Sequence, residues 1–551
     1  MHDRSCPPAG VCEPAACSPI HRPDTLPIAR PMTLSGPRPI HPDQPEWLHR
    51  VDSTRLIEEQ ALARYPAGAL MARAGASVAR LLRAWQPHAR QIDVVCGPGN
   101  NGGDGLVAAT ELHRHLQAVG HGRVRVWLHL PGGRSLPGDA DRALQQARAA
   151  GVDVVALEAA ADGPWPWSAG TDVLIDALLG IGARPLTPGP TADIAAALAA
   201  APQPVLCVDT PSGLDPDTGQ GPAGWQAAAG PRATLSLLTL KPGLLTGQGR
   251  DRAGDVWLDR LGVGFEHQDL ACGIWGGWAP ATADKSADPH SGHKGSYGDV
   301  AVMPGQPLSH GGQGMGGAAA LAACAALHAG AGRVYLGVAD EAAAPEWDPL
   351  RPELMLRRFA TLAEPGFLAG VTVVAGCGGG SVIGTRLLPI IEHAGRLVLD
   401  ADGLNALAAD PALQLRLRAR GPLRTVITPH PLEAARLLDC STQEVMADRI
   451  RAASELARRL QVVCVLKGAG TVVAAPDALP WINGTGNARL ATAGTGDVLA
   501  GLLGAAIARR PHALLEQTRR AVHLHGQLAD AWDSRTGCLT AGALAACVRP
   551  V

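Results

Sequence analysis

Several short stretches of this chain join glycine to residues that can carry a proton or a charge. In Gly494-Thr495-Gly496-Asp497 an acid follows two glycines and opens an apolar run through Ile507. Glycines let backbone N–H groups converge, and the helix that follows adds the positive end of its dipole, so such a turn holds an anion. An aspartate in that first turn could take a proton from a hydroxyl attacking a phosphate. The same pattern also serves as a glycine-rich helix cap. Earlier, Cys96-Gly97-Pro98-Gly99-Asn100-Asn101-Gly102-Gly103-Asp104-Gly105 contains GxGxxG and adds amides and an acid at Asn100, Asn101 and Asp104 that the plain dinucleotide fingerprint does not require.

Two more strand-like runs end in an acid and a glycine loop: Leu174-Ile175-Asp176 through Gly182, and Cys207-Val208-Asp209 through Asp215. Acids at the carboxyl ends of parallel strands point into the crevice where ligands bind. Asn101, Asp176 and Ser212 could supply oxygens to one hard cation, a monovalent ion as readily as Mg²⁺. In the second half, Lys467-Gly468-Ala469-Gly470-Thr471 offers a point charge and a flexible backbone to phosphates. His430, between Pro429 and Pro431, is held rigidly at a strand end, which suits substrate contact. Glu433 could position Mg²⁺ through water. Each has a structural alternative: a backbone-satisfied histidine, a first-turn helix acid, a snorkelling lysine.

These residues need a scaffold that brings strand ends together. Helical spacing runs from Trp47 to Trp85, divided at Pro66. Strands are predicted at Ile92–Val95, Val124–Leu128, Val152–Leu157, Val173–Asp176, Val205–Asp209, Ala233–Leu240 and Val256–Leu258. In the second half they are predicted at Val300–Met303, Val334–Val338, Val371–Ala375, Leu397–Leu399, Thr425–Ile427 and Val462–Leu466. Helical stretches separate most of them, so each half reads as an α/β domain on a parallel sheet. Periodicity is lost from about Gly264 to Ser286, where the domain boundary is placed.

The 551 residues are enough for two or more domains. The apolar fraction of 46% fills their cores, and a formal net charge of -2 gives no sign of a nucleic-acid or membrane-surface partner. No run of 18 apolar residues predicts a membrane span. The 12 cysteines include no CxxC pair, and Cys96, Cys207, Cys324, Cys377 and Cys464 lie in or beside apolar runs, which fits small buried hydrophobes in a reducing cytoplasm. Eleven prolines fall between Pro7 and Pro45 without periodicity and without the apolar core of a signal peptide. That stretch reads as a disordered extension in which Met32 offers an alternative start and Cys6, Cys12 and Cys17 a remote chance of a metal site.

Taken together the loops resemble a known pair of families. Gly97 through Gly105, Asp176-Ala177-Leu178-Leu179-Gly180, Val208 through Asp215 and Thr239-Leu240-Lys241-Pro242-Gly243 resemble the YjeF N-terminal family, the NAD(P)H-hydrate epimerases. His293-Lys294-Gly295, Gly317-Ala318-Ala319, Asp400-Ala401-Asp402, Thr428-Pro429-His430-Pro431, Lys467 through Thr471 and Gly494 through Asp497 resemble the ribokinase-like ADP-dependent NAD(P)H-hydrate dehydratases. Two departures stand out: the loop Gly180 through Leu186 is about one residue shorter than is common, and Gly376-Cys377-Gly378-Gly379-Gly380 replaces a more usual GPGLG-like run.

The resemblance implies a disordered extension over 1–45, a Rossmann-like epimerase domain over 46–265, a linker over 266–285 and a ribokinase-like dehydratase domain over 286–551. It implies an epimerase pocket lined by Asn100, Asn101, Gly102, Gly103, Asp104, Gly180, Ile181, Gly182, Ala183, Arg184, Pro185 and Leu186. Asp209 would contact the damaged nicotinamide as acid or base, and K⁺ would sit on Asn101, Asp176 and Ser212. In the dehydratase, Ala318, Gly378, His430 and Asp497 would contact the hydrate, with Asp497 as the catalytic base. Lys467, Gly468, Ala469, Gly470, Thr471 and Gly496 would hold the adenine nucleotide, with Mg²⁺ bridging its oxygens and ADP as co-substrate. The implied setting is a cytoplasmic homo-oligomer that repairs NADH or NADPH hydrated at C6. Two rivals share the fold: a small-molecule kinase with a regulatory nucleotide-binding first domain, and an enzyme whose first domain only senses or binds.

Overall fold

The computed structural model describes residues 36–158, 165–167, 170–182, 186–222, 225, 228–264, 267–277, 290–338, 346 and 348–551. The chain builds two sheets. The first has eight strands in the order Arg38–Pro39, Asp255–Asp259, Arg232–Leu237, Val205–Val208, Val173–Ala177, Gln91–Cys96, Arg123–Leu128 and Asp153–Ala156. All neighbours are parallel except the two-residue edge strand. The order reverses between Gln91–Cys96 and Val173–Ala177, so a crevice opens beyond the carboxyl ends of those two strands.

The second sheet has eleven strands: Met355–Arg357, Arg333–Gly337, Asp299–Val302, Thr372–Ala375, Arg396–Leu399, Thr425–Ile427, Val463–Leu466, Val472–Ala475, Ala478–Ile482, Gly273–Trp275 and Glu46–Leu48. The first seven are parallel. Their central members, Thr372–Ala375, Arg396–Leu399 and Thr425–Ile427, are buried along almost their whole length, which is why they read as unbroken apolar runs rather than alternating ones. Val463–Leu466, Val472–Ala475 and Ala478–Ile482 then form an antiparallel meander. The Lys467–Thr471 segment is therefore a hairpin loop, not a crossover into another parallel strand.

The expected parallel strands are found to within a residue or so, except that Ala233–Leu240 ends at Leu237, and the three-residue parallel edge strand Met355–Arg357 is an addition to them. The helical stretch divides as expected into Val51–Leu62 and Ala69–Trp85. Three expectations about boundaries change. Arg38–Pro39, placed in the extension, pairs with Asp255–Asp259. Glu46–Leu48, placed in the first domain, belongs to the second sheet, and Gly273–Trp275, placed in the linker, carries it there. These strands have two or three residues, too few to show periodicity, and pairing alone defines them. The cysteines Cys6, Cys12 and Cys17 lie outside the described residues.

Residues from 35 onward form one body. Arg50 pairs with Asp448 at 3.1 Å, and the Gln220 amide donates to the Met446 carbonyl at 2.6 Å. Within the second half the helix Thr495–Arg509 lies on Gly316–His328, where Gly501 meets the Ala322 carbonyl so closely that a Cβ would collide with it. Small residues let these two helices approach, and that approach places the start of Thr495–Arg509 at the sheet edge.

Candidate active sites

The first site is a cavity of about 1140 Å³ at the reversal point of the first sheet. Its floor is set by the close approach of two loops. A Cβ on Gly97 would collide with the Leu178 carbonyl oxygen, and one on Gly180 would stand 3.0 Å from the Asn101 Cβ. The helix Asn100–Ala118 starts here with its amide end toward the cavity. Asn100, Asn101, Asp104, Gly180, Ile181, Gly182, Leu186 and Asp209 all line the cavity. Gly102 and Gly103 do not. They pack behind it, where side chains would strike the Gly97 carbonyl and Met71. Ala183, Arg184 and Pro185 lie outside the described residues.

Asp209 leaves its strand in the left-handed region, at φ +66°, an unusual conformation for a residue with a side chain. The Lys241 ammonium, fully buried, donates to Asp209 Oδ1 and to the Leu237 carbonyl at 2.7 Å. The Leu237 N–H donates to the same carboxylate at 3.1 Å. Two further acids share the cavity. Burial, and then the charges of Asp209 and Glu58, push the Asp104 carboxyl well above the ordinary range. Glu58 is also raised, by burial and then by Asp209. Glu58 sits on Val51–Leu62, next to the buried Ile57, and nothing in its local pattern singles it out. Lys241 stands in the quoted Thr239–Gly243 motif, but no role attached to it before the fold was known.

Of the three residues expected around a cation, two are joined directly. Ser212 Oγ donates to Asp176 Oδ1 at 2.5 Å, and the Ser212 N–H donates to Oδ2 at 2.9 Å. The Leu178 N–H adds a 3.2 Å bond. Burial still raises the Asp176 carboxyl above its usual value. Asn101 stands against Gly180 on the other side of the same loop, and its buried side-chain nitrogen has no hydrogen-bond partner among the described residues.

The second site lies at the carboxyl edge of the second sheet, where Thr495–Arg509 begins after Gly494 at φ +90°. Asp497, in the first turn, has its pKa raised to about 6. Burial is the main cause and the Asp400 charge the next, partly offset by Cys377 and Lys467. Ligating atoms of Cys377, Asp400 and Asp497 all lie within 4.8 Å of one another. The Asp400 carboxylate accepts from Lys467 Nζ at 2.6 Å and Thr428 Oγ1 at 2.7 Å. Burial works against the Lys467 charge, but Asp400 and Glu433 outweigh it and hold the ammonium above its ordinary value. A Cβ on Gly496 would be 3.4 Å from Lys467 Nζ, so this glycine closes the group. Gly378 and Ala318 meet nearby, a Gly378 Cβ coming within 2.9 Å of the Ala318 Cβ.

Gly468 and Ala469 are exposed at the hairpin tip, and Thr471 Oγ1 donates back to the Gly468 carbonyl at 3.1 Å. His430 caps Pro431–Leu438: its Nδ1 accepts from the Leu432 and Glu433 N–H groups at 3.1 and 3.3 Å. Glu433 returns the bond, accepting from the His430 N–H at 2.8 Å, and its other oxygen lies 3.2 Å from His430 Nε2. Both Glu433 oxygens are thus spent on His430 in a capping box, and the water-bridged Mg²⁺ role expected of it is not supported. His430 keeps 46% of its side chain exposed, and burial and then Lys467 lower its pKa. Asp400, Thr428 and Cys377 are the residues this site adds to those anticipated. Two of them lay in quoted motifs, and Cys377 marked a departure from one.

Two carboxylate-centred sites on two parallel sheets, each at a glycine-rich strand–helix edge, define a two-headed α/β enzyme. Residues 67–243 match the family described as YjeF-related protein N-terminus, and residues 308–549 match the family described as NAD(P)H-hydrate dehydratase. The chain is 34% identical over 490 residues to the bifunctional NAD(P)H-hydrate repair enzyme Nnr of Coxiella burnetii, covering 86% of this chain and 92% of that one. The enzyme of the same name from Escherichia coli is 37% identical over 483 residues, covering 86% and 87%. An ADP-dependent (S)-NAD(P)H-hydrate dehydratase of Neisseria meningitidis is 38% identical over 260 residues, 47% of this chain and 84% of that one. This chain belongs to the family of bifunctional NAD(P)H-hydrate repair enzymes. Among the described residues no helix is long and apolar enough to cross a membrane.

Proposed function

We propose that this chain restores hydrated NADH and NADPH, interconverting the R and S hydrates in the first site and dehydrating the S form in the second at the expense of ADP. The observation that carries this reading is the pairing of two differently prepared aspartates. Asp209 is held by a buried lysine inside a cavity of nucleotide size, and Asp497 is poised with a pKa of about 6 at an anion-binding helix start.

In the second site Asp497 takes the proton of the C6 hydroxyl while that oxygen attacks the terminal phosphorus of ADP and AMP leaves. Lys467 and the amides from Gly494 to Gly496 steady the transferred group. Hydroxide is a poor leaving group and phosphate a good one. The ring nitrogen's lone pair then expels phosphate from C6, and loss of a proton from C5 restores the dihydropyridine. Ala318, Gly378 and His430 are assigned to the hydrate, and Lys467, Gly468, Ala469, Gly470, Thr471 and Gly496 to the nucleotide. Asp400 and Asp497 would hold Mg²⁺ brought with the nucleotide, and the ion would supply charge neutralisation there.

In the first site Asp209 is the acid or base that acts at C6, in a pocket lined by Asn100, Asn101, Asp104, Gly180, Ile181, Gly182 and Leu186. Asp176, Ser212 and Asn101 suit a weakly held K⁺. The Asp176 carboxyl is buried and raised, and the Asn101 amide, whose nitrogen has no partner among the described residues, would present its oxygen to the ion if the group turned over. Bound there, K⁺ would neutralise that buried charge and brace the loop. Assembly as a homo-oligomer is part of the same proposal.

The direct test incubates a mixed-epimer hydrate with ADP or with ATP and follows the recovery of reduced-nicotinamide absorbance. Complete recovery with AMP and phosphate as products is expected with ADP. A stable phosphorylated product would favour the small-molecule kinase, and recovery stopping when the S form is consumed would leave the first domain as a binding module.

A further inference from the structure

The strip from Thr246 to Arg250 belongs to the first half of the chain but bonds to the second site. The Gly247 N–H donates to the Ala469 carbonyl at 3.1 Å. The Thr246 hydroxyl is shared between the Ala469 and Gly470 carbonyls at 3.3 and 3.4 Å, and it accepts from Arg449 Nε at 3.1 Å. The Arg449 guanidinium is buried, and among the described residues no carboxylate pairs with it. It donates instead to the Leu466 and Lys467 carbonyls at 3.2 and 3.1 Å. Gly470 sits at φ +64° against the Leu245 carbonyl, with no room for a Cβ. Farther along the strip Arg250 donates to the Asn483 and Gly486 carbonyls at 3.4 and 3.2 Å. Those carbonyls open the segment that leads to Gly494–Asp497. The strip therefore fastens both segments that flank the second site.

A hairpin tip with glycines at 468 and 470 loses much backbone entropy on being ordered, and a ligand that had to order it would bind more weakly. Bonds that fix the carbonyls of that tip from behind order the loop before a ligand arrives and so reduce the entropy that binding must remove. We propose that Thr246, acting with Arg449, positions the Lys467–Thr471 loop for the adenine nucleotide, while Arg250 fastens the Asn483–Gly486 segment, so that Thr246 and Arg250 of the epimerase half serve as positioning residues for the dehydration site. The inference rests on the assignment of that loop to ADP. None of the three touches the nucleotide in this scheme. Thr246 and Arg449 act through the carbonyls of the loop and its base, and Arg250 through those of Asn483 and Gly486.

The test uses the full chain carrying Thr246→Val or Thr246→Ser, with two readouts. Amide hydrogen exchange across 467–471 without nucleotide reports the fastening, and ADP binding with steady-state kinetics reports its use. Thr246→Val removes the hydroxyl bonds to the Ala469 and Gly470 carbonyls and takes away the acceptor of Arg449 Nε, leaving the Gly247 N–H as the remaining bond on Ala469. Exchange across the loop should quicken, and Kd and KM for ADP should rise about tenfold, with kcat at saturating ADP within about twofold of wild type. The epimerisation rate should not change, and Thr246→Ser should restore the ADP affinity. Unchanged exchange together with unchanged KM overturns the inference, as does a parallel fall of kcat and epimerisation, which would mark a general packing defect. Faster exchange in Thr246→Val beside a wild-type chain that binds no ADP would overturn the nucleotide assignment while leaving the fastening in place.

Discussion

Asp209 and Asp497 occupy comparable places, each at the carboxyl edge of a parallel sheet beside a glycine loop, yet their surroundings prepare them differently. Asp209 has a fully buried ammonium directly on its carboxylate, and the raised acids of its site are its neighbours Asp104 and Glu58. Asp497 has no such partner. The nearest lysine, Lys467, is spent on Asp400, and the Asp400 charge adds to burial in raising Asp497 itself. In the first site the aspartate is paired and its neighbours are the carboxyls shifted upward. In the second the carboxylate at the helix start is itself the one raised, to about 6. The two sites differ in which carboxylate the lysine takes: Asp209 itself in the first, and Asp400, the neighbour of Asp497, in the second.

The largest expected effects would break this comparison outright. Asp497→Asn should cost about 10²- to 10⁴-fold in dehydration while epimerisation persists, and Asp209→Asn should do the reverse. Both are read from single-epimer and mixed-epimer time courses. Loss of both activities from either substitution in a folded chain would refute two independent sites.

Next in size is Lys241→Met, which leaves the Asp209 charge buried without its cation. A loss of about 3–5 kcal/mol in unfolding free energy is expected from breaking a buried pair, together with lost epimerisation. Urea midpoints compared with those of wild type measure it. A variant of wild-type stability would mean that the pair is not what holds Asp209.

The pH dependence sharpens the second half of the comparison. Asp497 must be ionised to act as a base, so dehydration kcat/KM should fall about tenfold per unit as pH drops below about 6. Asp400→Asn removes a charge that raises Asp497, so the inflection should move to lower pH. An inflection that stays in place would show that Asp400 does not set it.

The smallest effect concerns stability. The Asp497 pKa is higher in the fold than the ordinary 3.8, so ionisation works against folding. The stability it contributes is greatest below about pH 4 and is lost as pH rises through about 6. Asp497→Asn should therefore gain about 1–2 kcal/mol at neutral pH, a stability gain traded against function. A thermal melt at pH 5 and pH 8 tests both the sign and the pH trend.

Much of this arrangement was legible in the chain. The buried parallel strands announce themselves as short apolar runs, and each hands a glycine or acid to the same sheet edge. What escaped was decided by pairing. Glu46–Leu48 and Gly273–Trp275 are too short for periodicity, and their place at the far edge of the second sheet depends on Ala478–Ile482 accepting them. Glu433 looked like an acid free to serve Mg²⁺. Its cap with His430 lies only three residues away and was open to reading, because a Glu three positions after an N-cap residue is a capping signal.

The sequence alone determined the two α/β halves, the glycine loops and the two aspartates, because helix and strand periodicity and turn chemistry act over a few neighbouring residues. Only the tertiary structure decided what each aspartate faces. Lys241 reaches Asp209 across 32 positions, Lys467 reaches Asp400 across 67, and Arg449 reaches Thr246 across 203. Ion pairs and hydrogen bonds at such separations leave no local pattern in the chain. They exist because packed helices and a shared sheet edge bring distant residues within bonding distance, and at that distance burial and charge set which carboxylate keeps its proton.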